Sequence, residues 1–203
     1  MASKAYKVVA DFEKEIASWS GAKYGVAVES CCASIFLCAK YLQLLSVHIP
    51  RYTYPGVPMA LINAGANVLF NNNDQWKGTY VIEPSPIVDS ALRFRKNMYV
   101  PDTFYCLSFH YKKLLPIGRG GMILTNDSEA VEWFKMARFD GRKEIPLRKD
   151  NATIIGYNMY MTPEQAARGL ALFDTVKNKD LPDLDTKDQG YPDLSKWRVF
   201  NHE

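Results

Sequence analysis

Two adjacent lysines, Lys112 and Lys113, lie between two apolar segments near the middle of this 203-residue chain. The first segment is residues 104–109 and the second is residues 122–125, with three glycines at 118, 120 and 121 before it. The pattern predicts a strand, a polar turn and a second strand. A lysine held between two strands loses part of its hydration, which lowers the pKa of its amine and makes it a nucleophile at neutral pH. Two solvated lysines in an ordinary hairpin are the alternative interpretation.

Composition limits the classes of protein to consider. The chain is 47% hydrophobic with a formal net charge of +3, which permits a substantial core and argues against a nucleic-acid partner. The spacing of the four cysteines and three histidines fits no zinc site, so we expect no metal and reduced thiols in a cytoplasmic protein. No apolar run approaches the roughly 20 residues that span a bilayer, and residues 1–11 lack the apolar core of a signal peptide. We therefore expect no membrane association.

Periodicity predicts the elements that position the lysines. Helices are expected at residues 7–19, 33–45, 57–64, 127–138 and from Thr162 to about 177. Short strands are expected at 24–28, in the region from 47, at 65–70, 80–83 and 86–88. The strand at 24–28, the turn at 29–32 and the helix after it form the type of arrangement that binds an anion at a helix N-terminus.

The residues around the lysines resemble the signature of the DegT/DnrJ/EryC1/StrS family, sugar aminotransferases that use pyridoxal 5'-phosphate. The matching segments are 108–113, Ser-Phe-His-Tyr-Lys-Lys, and 118–125, Gly-Arg-Gly-Gly-Met-Ile-Leu-Thr. Further matches follow in the family's order, and together they cover roughly residues 9–176. In the family, two residues separate the Ser-Phe-His motif from the Schiff-base lysine, which places that lysine at Lys113.

The resemblance implies the catalytic pair. Lys113 would hold pyridoxal 5'-phosphate, and its freed amine would move protons as general base and acid. Asp89, followed by Ser90 and Ala91, matches the aspartate that pairs with the pyridine nitrogen and lets the ring accept electrons. An alternative alignment places Glu83, rather than Asp89, at the position of this aspartate. The alternative interpretation of Asp89 itself is structural: an aspartate at a strand end that caps a turn.

The resemblance also implies the residues that hold the phosphate. Ser108 and the turn that contains Cys31 and Cys32 would contact it, together with Asn158 reaching from the partner subunit of a homodimer. Cys31 and Cys32 replace the family's Gly-Thr pair, so a hydroxyl donor is lost, and Glu29 adds a negative charge. The backbone amides remain available, whereas packing of a helix start is the alternative role for the two cysteines.

Three other positions bear on the cofactor and the substrate. By resemblance, Tyr54 would stack on the pyridine ring; an ordinary core or surface aromatic is the alternative. Leu92 and Tyr160 replace polar family residues, which removes one contact to the cofactor and one charge near the substrate.

The fold expected from the resemblance is a three-layer α/β/α domain with a mostly parallel central sheet, the large domain of a pyridoxal-phosphate transferase in shortened form. We expect this domain to occupy residues 1–177, with residues 178–203 as an extended or weakly ordered C-terminal arm. The interval from 70 to 89 leaves no room for the helices that the family places between its middle strands.

The function implied is transfer of an amino group from glutamate or glutamine to a nucleotide-linked keto sugar. Family members that dehydrate sugars have histidine in place of the lysine, so Lys113 favours transamination. Two alternatives stay open: a non-catalytic compact relative that serves as a dimeric binding or scaffold protein, and a pyridoxal-phosphate enzyme of other chemistry on an amino acid.

Overall fold

In the computed structural model of this protein, which describes residues 4–200, seven strands and five α-helices alternate along much of the chain. Residues 1–3 and 201–203, which the sequence assigns to the ends of the large domain and of the arm, lie outside the described residues. The strands are β1 Tyr24–Val28, β2 Ser46–Pro50, β3 Asn67–Asn71, β4 Tyr80–Ile82, β5 Ile87–Asp89, β6 Phe104–Ser108 and β7 Gly121–Thr125. The helices are α1 Lys7–Ser20, α2 Cys31–Leu42, α3 Gly56–Ala64, α4 Ser128–Ala137 and α5 Pro163–Val176.

The main sheet is mixed, so the expectation of a mostly parallel sheet is wrong. Its strand order is β1-β7-β6-β5-β4, and β5–β6 is its parallel pair, whereas β1–β7, β6–β7 and β4–β5 are antiparallel. The predicted hairpin around the lysines is confirmed, with Ser108 of β6 opposite Gly121 of β7.

A second, two-stranded sheet pairs β2 with β3 in parallel, and α3 forms the crossover between them. His48 of β2 exchanges backbone hydrogen bonds with Glu83, just after β4, at 2.8 and 3.1 Å. The expected shortening is confirmed, because no α-helix interrupts the described chain between β3 and β5.

Side chains alternate between the two faces of the main sheet and form two cores. Val26, Cys106 and Ile123 face a cluster that includes α2, α3 and α4. Their neighbours Ala27 and Leu107 face the opposite cluster, which includes α1 and α5. This period of two produces the three layers that were expected, with helices on both sides of the sheet.

Helix caps set the boundaries more sharply than the apolar pattern did. Helix α2 begins at Cys31, two residues before the expected start, because Ser30 is its N-cap and its Oγ accepts from Ala33 N at 3.1 Å. The chain leaves α2 at Gln43, which has a left-handed backbone, so the expected end at residue 45 was too late. Helix α5 begins with the expected Thr162–Pro163 pair, and Thr162 forms a capping box with Gln165.

Residues 178–200 form three short 3₁₀ turns and otherwise irregular backbone that packs on the domain. Asp183 forms an ion pair with Arg93 at 2.7 Å, and Leu184 N donates to Leu92 O at 2.9 Å. The division of the chain at residue 177 stays a prediction. Among residues 4–200, none of the helices has both the length and the apolar character needed to cross a bilayer.

A buried ion pair connects α1 to the end of α4. The Arg138 guanidinium donates to the Glu13 carboxylate and to Ala27 O of β1, and Ala27 N donates to Glu13 Oε1 at 2.9 Å. Glu144 accepts from the other end of the guanidinium at 3.0 Å. The side chains of Arg138 and Glu13 are only 3% and 7% exposed, so each charge depends on its partner.

Replacing one partner of this pair is therefore expected to be strongly destabilising. Arg138→Met leaves the Glu13 carboxylate buried without its charge partner and should lower the free energy of unfolding by about 3–5 kcal/mol. Lys7→Met, which breaks an exposed ion pair with Asp11, should change it by less than about 1 kcal/mol. Urea unfolding followed by circular dichroism measures both. Equal effects of the two variants would contradict the role given to the buried pair.

Candidate active site

A cavity of about 610 Å³ opens at one end of the main sheet. Its walls come from the start of α2, the loop after β2, the ends of β5 and β6, the turn that carries the lysines, and residues 189–192 of the C-terminal segment. Six of the seven residues that the sequence predicts for the site line it: Cys31, Cys32, Tyr54, Asp89, Ser108 and Lys113.

Lys113 lies in the turn after β6, where its N–H donates to His110 O at 2.8 Å. Its side chain is half-buried, and burial lowers the pKa of the amine, while the nearby Asp89 carboxylate opposes this shift. The Nζ atom donates to Gln189 Oε1 at 3.4 Å and to Tyr191 Oη at 3.3 Å. The neighbouring Lys112 is exposed, so the turn distinguishes the two lysines.

Asp89 ends β5 at the floor of the cavity and is 2% exposed. Burial raises the pKa of its carboxyl, and three interactions act in the opposite direction: the Ala91 N–H, which donates to Oδ1 at 2.9 Å, the Tyr80 hydroxyl and the Lys113 charge. The structure thus places Asp89 and Lys113 on the same cavity and within electrostatic reach of each other. Their catalytic roles stay predictions.

The two cysteines at the start of α2 have different surroundings. Cys31 Sγ points into the core, 3.5 Å from Cys106 O and 4.0 Å from Asp89 Oδ1. Burial raises the pKa of Cys31, with a smaller contribution from the Asp89 charge, and raises that of Cys32 to about 12. Both thiols are therefore neutral at pH 7, and they add no negative charge beside the helix N-terminus.

The start of α2 lies directly against the start of β7. A Cβ atom on Gly121 would come within 2.4–2.6 Å of the backbone of Ser30 and Cys31, so only glycine allows this approach. Ser30 caps the helix, and Ser108 lies across the β6–β7 pair from Gly121. Because the first N–H groups of a helix have no partner within it, this corner of the cavity suits an anion.

The extra negative charge at Glu29 has a partner that the sequence did not indicate. Arg119, which lines the cavity, donates to Glu29 Oε2 at 2.7 Å. The Arg119 side chain is 65% exposed, and the pair therefore lies at the mouth of the cavity. The Glu29 charge is compensated locally, which reduces its expected conflict with a phosphate.

The last two predicted residues are less enclosed. Tyr54 lies at the mouth of the cavity and is 56% exposed. Asn158 does not line the cavity; it is exposed and its Nδ2 donates to the Asp140 carboxylate at 3.4 Å. The role of Asn158 in a partner's site stays a prediction.

Several residues in the cavity or directly behind its wall were missed by the sequence interpretation. Tyr80 is buried beside Asp89, and its hydroxyl is 2.9 Å from Thr53 Oγ1. Trp76 stacks on Tyr191 with ring centroids 6.5 Å apart, and Gln189 lies on the same wall. Thr53 precedes Tyr54, which the resemblance singles out, and this neighbour was a usable signal, whereas the aperiodic C-terminal segment gave none.

The model of the DegT/DnrJ/EryC1/StrS aminotransferase family matches residues 2–98 and 100–180. The chain belongs to this family. The match covers the described helices α1–α5 and all seven strands.

Individual relatives agree with this assignment. The spore coat polysaccharide biosynthesis protein SpsC of Bacillus subtilis is 25% identical over 80% of this chain and 55% of its own length. GDP-perosamine synthase of Caulobacter vibrioides is 39% identical over 34% of this chain and 18% of its own. The structure of S. venezuelae DesV in complex with a ketimine intermediate has a TM-score of 0.69 and 20% identity, over 82% of this chain and 56% of its own. This chain thus spans little more than half the length of SpsC and DesV.

Replacing the buried Asp89 carboxylate is expected to stabilise the protein. The folded pKa of Asp89 is above its ordinary value of 3.8, so ionisation costs more in the folded than in the unfolded chain. Asp89→Asn should raise the free energy of unfolding at pH 8 by about 1 kcal/mol. The gain should shrink as the pH falls through the raised pKa and reach its minimum below the ordinary value, where the carboxyl is protonated in both states.

Denaturant unfolding of wild type and variant between pH 3 and 8 tests this dependence. Asp102→Asn makes the same chemical change at an exposed turn and should leave stability unchanged across the range. A loss of stability on Asp89→Asn at pH 8 would show that the carboxylate is favourably compensated in the fold.

Proposed function

We propose that this protein is a pyridoxal-phosphate-dependent aminotransferase that transfers the amino group of glutamate or glutamine to a nucleotide-linked keto sugar. The observation that supports this most directly is the pair formed by a half-buried lysine and a buried aspartate that line one cavity, within electrostatic reach of each other. Membership of the family supplies the reaction class, and the names of its relatives refer to polysaccharide biosynthesis and GDP-perosamine.

The cavity has the chemical groups that pyridoxal 5'-phosphate requires. An amine, Lys113, is available for its aldehyde, and a carboxylate, Asp89, for its pyridine nitrogen. The α2 N-terminus with Ser30 and Ser108 offers donors for its phosphate, and Arg119 adds a positive charge at the mouth. Tyr54 is the aromatic residue we assign to the ring face, and the amides of Cys31 and Cys32 serve the phosphate in place of the lost hydroxyl.

When bound, the cofactor withdraws electrons from the carbon atom next to the amino group of the donor. The chain's own residues supply the proton chemistry. With the cofactor bound, Lys113 would take the proton from that carbon and return it as general acid, and its lowered pKa favours the neutral amine that this task needs. Asp89 would pair with the pyridine nitrogen, and the Tyr80 hydroxyl, which hydrogen-bonds to the carboxylate, would help to orient it.

A homodimer is part of this proposal, because Asn158 lies outside the cavity of its own subunit and is assigned to the phosphate of the neighbouring one. The surface position of Asn158 is compatible with that role. We also propose a cytoplasmic location, as expected for an enzyme with reduced cysteines.

Lys113→Ala is expected to abolish both cofactor attachment and amino transfer. Wild-type protein mixed with pyridoxal 5'-phosphate should develop a visible absorption band that disappears on reduction with borohydride as the cofactor becomes fixed to residue 113. The Lys113→Ala variant should show neither the band nor conversion of the cofactor to its amine form by glutamate. Lys112→Ala, the matched control in the same turn, should retain both.

The outcome separates the alternatives. A wild-type protein that binds no cofactor would favour the non-catalytic relative, and one that binds it but is not converted by glutamate or glutamine would favour other chemistry on an amino acid. Attachment at Lys112 would contradict the assignment of the lysine.

Glu29→Gln should strengthen binding of the cofactor phosphate. The change leaves the Arg119 charge uncompensated near the α2 N-terminus. Two unit charges about 4 Å apart in water interact by about 1 kcal/mol, so we expect roughly a fivefold lower Kd. Titration with pyridoxal 5'-phosphate at 50 and 500 mM salt measures it, and the gain should shrink at high salt. Glu132→Gln on α4 is the charge-matched control. Weaker binding by Glu29→Gln would show that Glu29 supports the site.

A further inference from the structure

Both side chains that accept hydrogen bonds from the Lys113 amine come from the segment after α5. Gln189 Oε1 lies 3.4 Å and Tyr191 Oη 3.3 Å from Nζ, and the centroid of the Tyr191 ring is 6.0 Å away. The orientation of the Gln189 amide is defined, because its Nε2 donates to Asp185 O at 3.5 Å. The oxygen therefore faces the lysine.

This segment is attached to the domain on both sides of the contact. Before it, Trp76 N donates to Thr186 Oγ1 at 3.0 Å, and Asp183 forms the ion pair with Arg93. After it, Leu194 is fully buried, and its N–H donates to Arg51 O at 3.0 Å. The stacking of Tyr191 on Trp76 fixes the ring between these attachments.

The two acceptors suit an amine that must alternate between charged and neutral forms. The Gln189 oxygen accepts from the amine in either form. The Tyr191 hydroxyl accepts from the ammonium group, and it can rotate to donate to the lone pair of the neutral amine. Neither group carries a charge that would hold Lys113 permanently protonated, unlike a carboxylate at the same distance.

We propose that Gln189 and Tyr191 are positioning residues for the Lys113 amine, so that the C-terminal segment forms one wall of the catalytic site. The consequence for catalysis rests on the function proposed above. The contact itself does not, because it can be measured in the protein without cofactor.

The test is the pH profile of Lys113 acetylation by trace acetic anhydride, read by mass spectrometry, with Lys112 as the internal reference for reagent access. In Gln189→Met the side-chain volume is similar but the acceptor is lost, which disfavours the ammonium form. The pKa of Lys113 should therefore fall by about half a unit or more. Tyr191→Phe removes the hydroxyl that can donate to the lone pair of the neutral Lys113 amine. The limiting rate of Lys113 acetylation at high pH should therefore rise about two- to fivefold.

Two controls distinguish direct contact from simple support of the fold. Tyr111→Phe makes the same chemical change on an exposed ring of the same turn and should alter neither quantity. Asp183→Ala removes an attachment of the segment and should move the pKa of Lys113 up toward its ordinary 10.5, because water then reaches the amine.

An unchanged profile in both Gln189→Met and Tyr191→Phe would overturn the proposal. An upward shift like that of Asp183→Ala would overturn it as well, since it would mean that the segment only covers the lysine. Failure of added pyridoxal 5'-phosphate to bind would count against the proposed function, whereas the acetylation profile would still decide the contact.

Discussion

The site depends on keeping a carboxyl group buried at the end of β5. Asp89 is 2% exposed, so its ionised form depends on what the fold brings to it, including a backbone N–H, the Tyr80 hydroxyl and the Lys113 amine. These partners come from a local turn, from an adjacent strand and from a turn far along the chain. The carboxyl raises the pKa of Cys31, while its charge opposes the lowering of the pKa of Lys113. The ionisation states of Asp89, Cys31 and Lys113 therefore depend on one another.

The mixed sheet is what brings these groups together. Strands β5 and β6 are parallel, so Asp89 and Ser108 lie at their carboxyl ends on the same edge. Strand β7 runs antiparallel to β6. Its first residue, Gly121, has no side chain and therefore packs directly against the N-terminus of α2. The edge thus carries a carboxylate, a lysine turn and a helix N-terminus within one cavity. The short connection between β4 and β5 makes β4 antiparallel to β5. It does not alter the edge that carries the site, because β5 and β6 remain parallel.

The departures from the family pattern have different consequences in the fold. Cys31 and Cys32 remove a hydroxyl, yet the helix start and its cap at Ser30 are formed, and the two thiols are neutral. The charge of Glu29 is offset by its ion pair with Arg119. The C-terminal segment supplies one wall of the cavity. These features agree with the function proposed above.

Periodicity and motif order in the sequence determined most of the local structure. The apolar runs at β1, β6 and β7 predict strands buried on both faces, and Thr162–Pro163 specifies the start of α5. The two apolar runs on either side of Lys112 and Lys113 predict the turn that carries them, because a hairpin is a local structure whose geometry follows from its own residues.

Only the tertiary structure decided strand direction and the neighbours of each charged group. The direction of β4 depends on which strand it pairs with, and nothing within Tyr80–Ile82 encodes that choice. The contacts of Lys113 with Gln189 and Tyr191 join residues more than seventy positions apart in a segment without periodicity. The sequence by itself determines side-chain chemistry and local pattern. Desolvation and charge pairing arise only when distant segments are brought together, and they set the pKa values on which the chemistry depends.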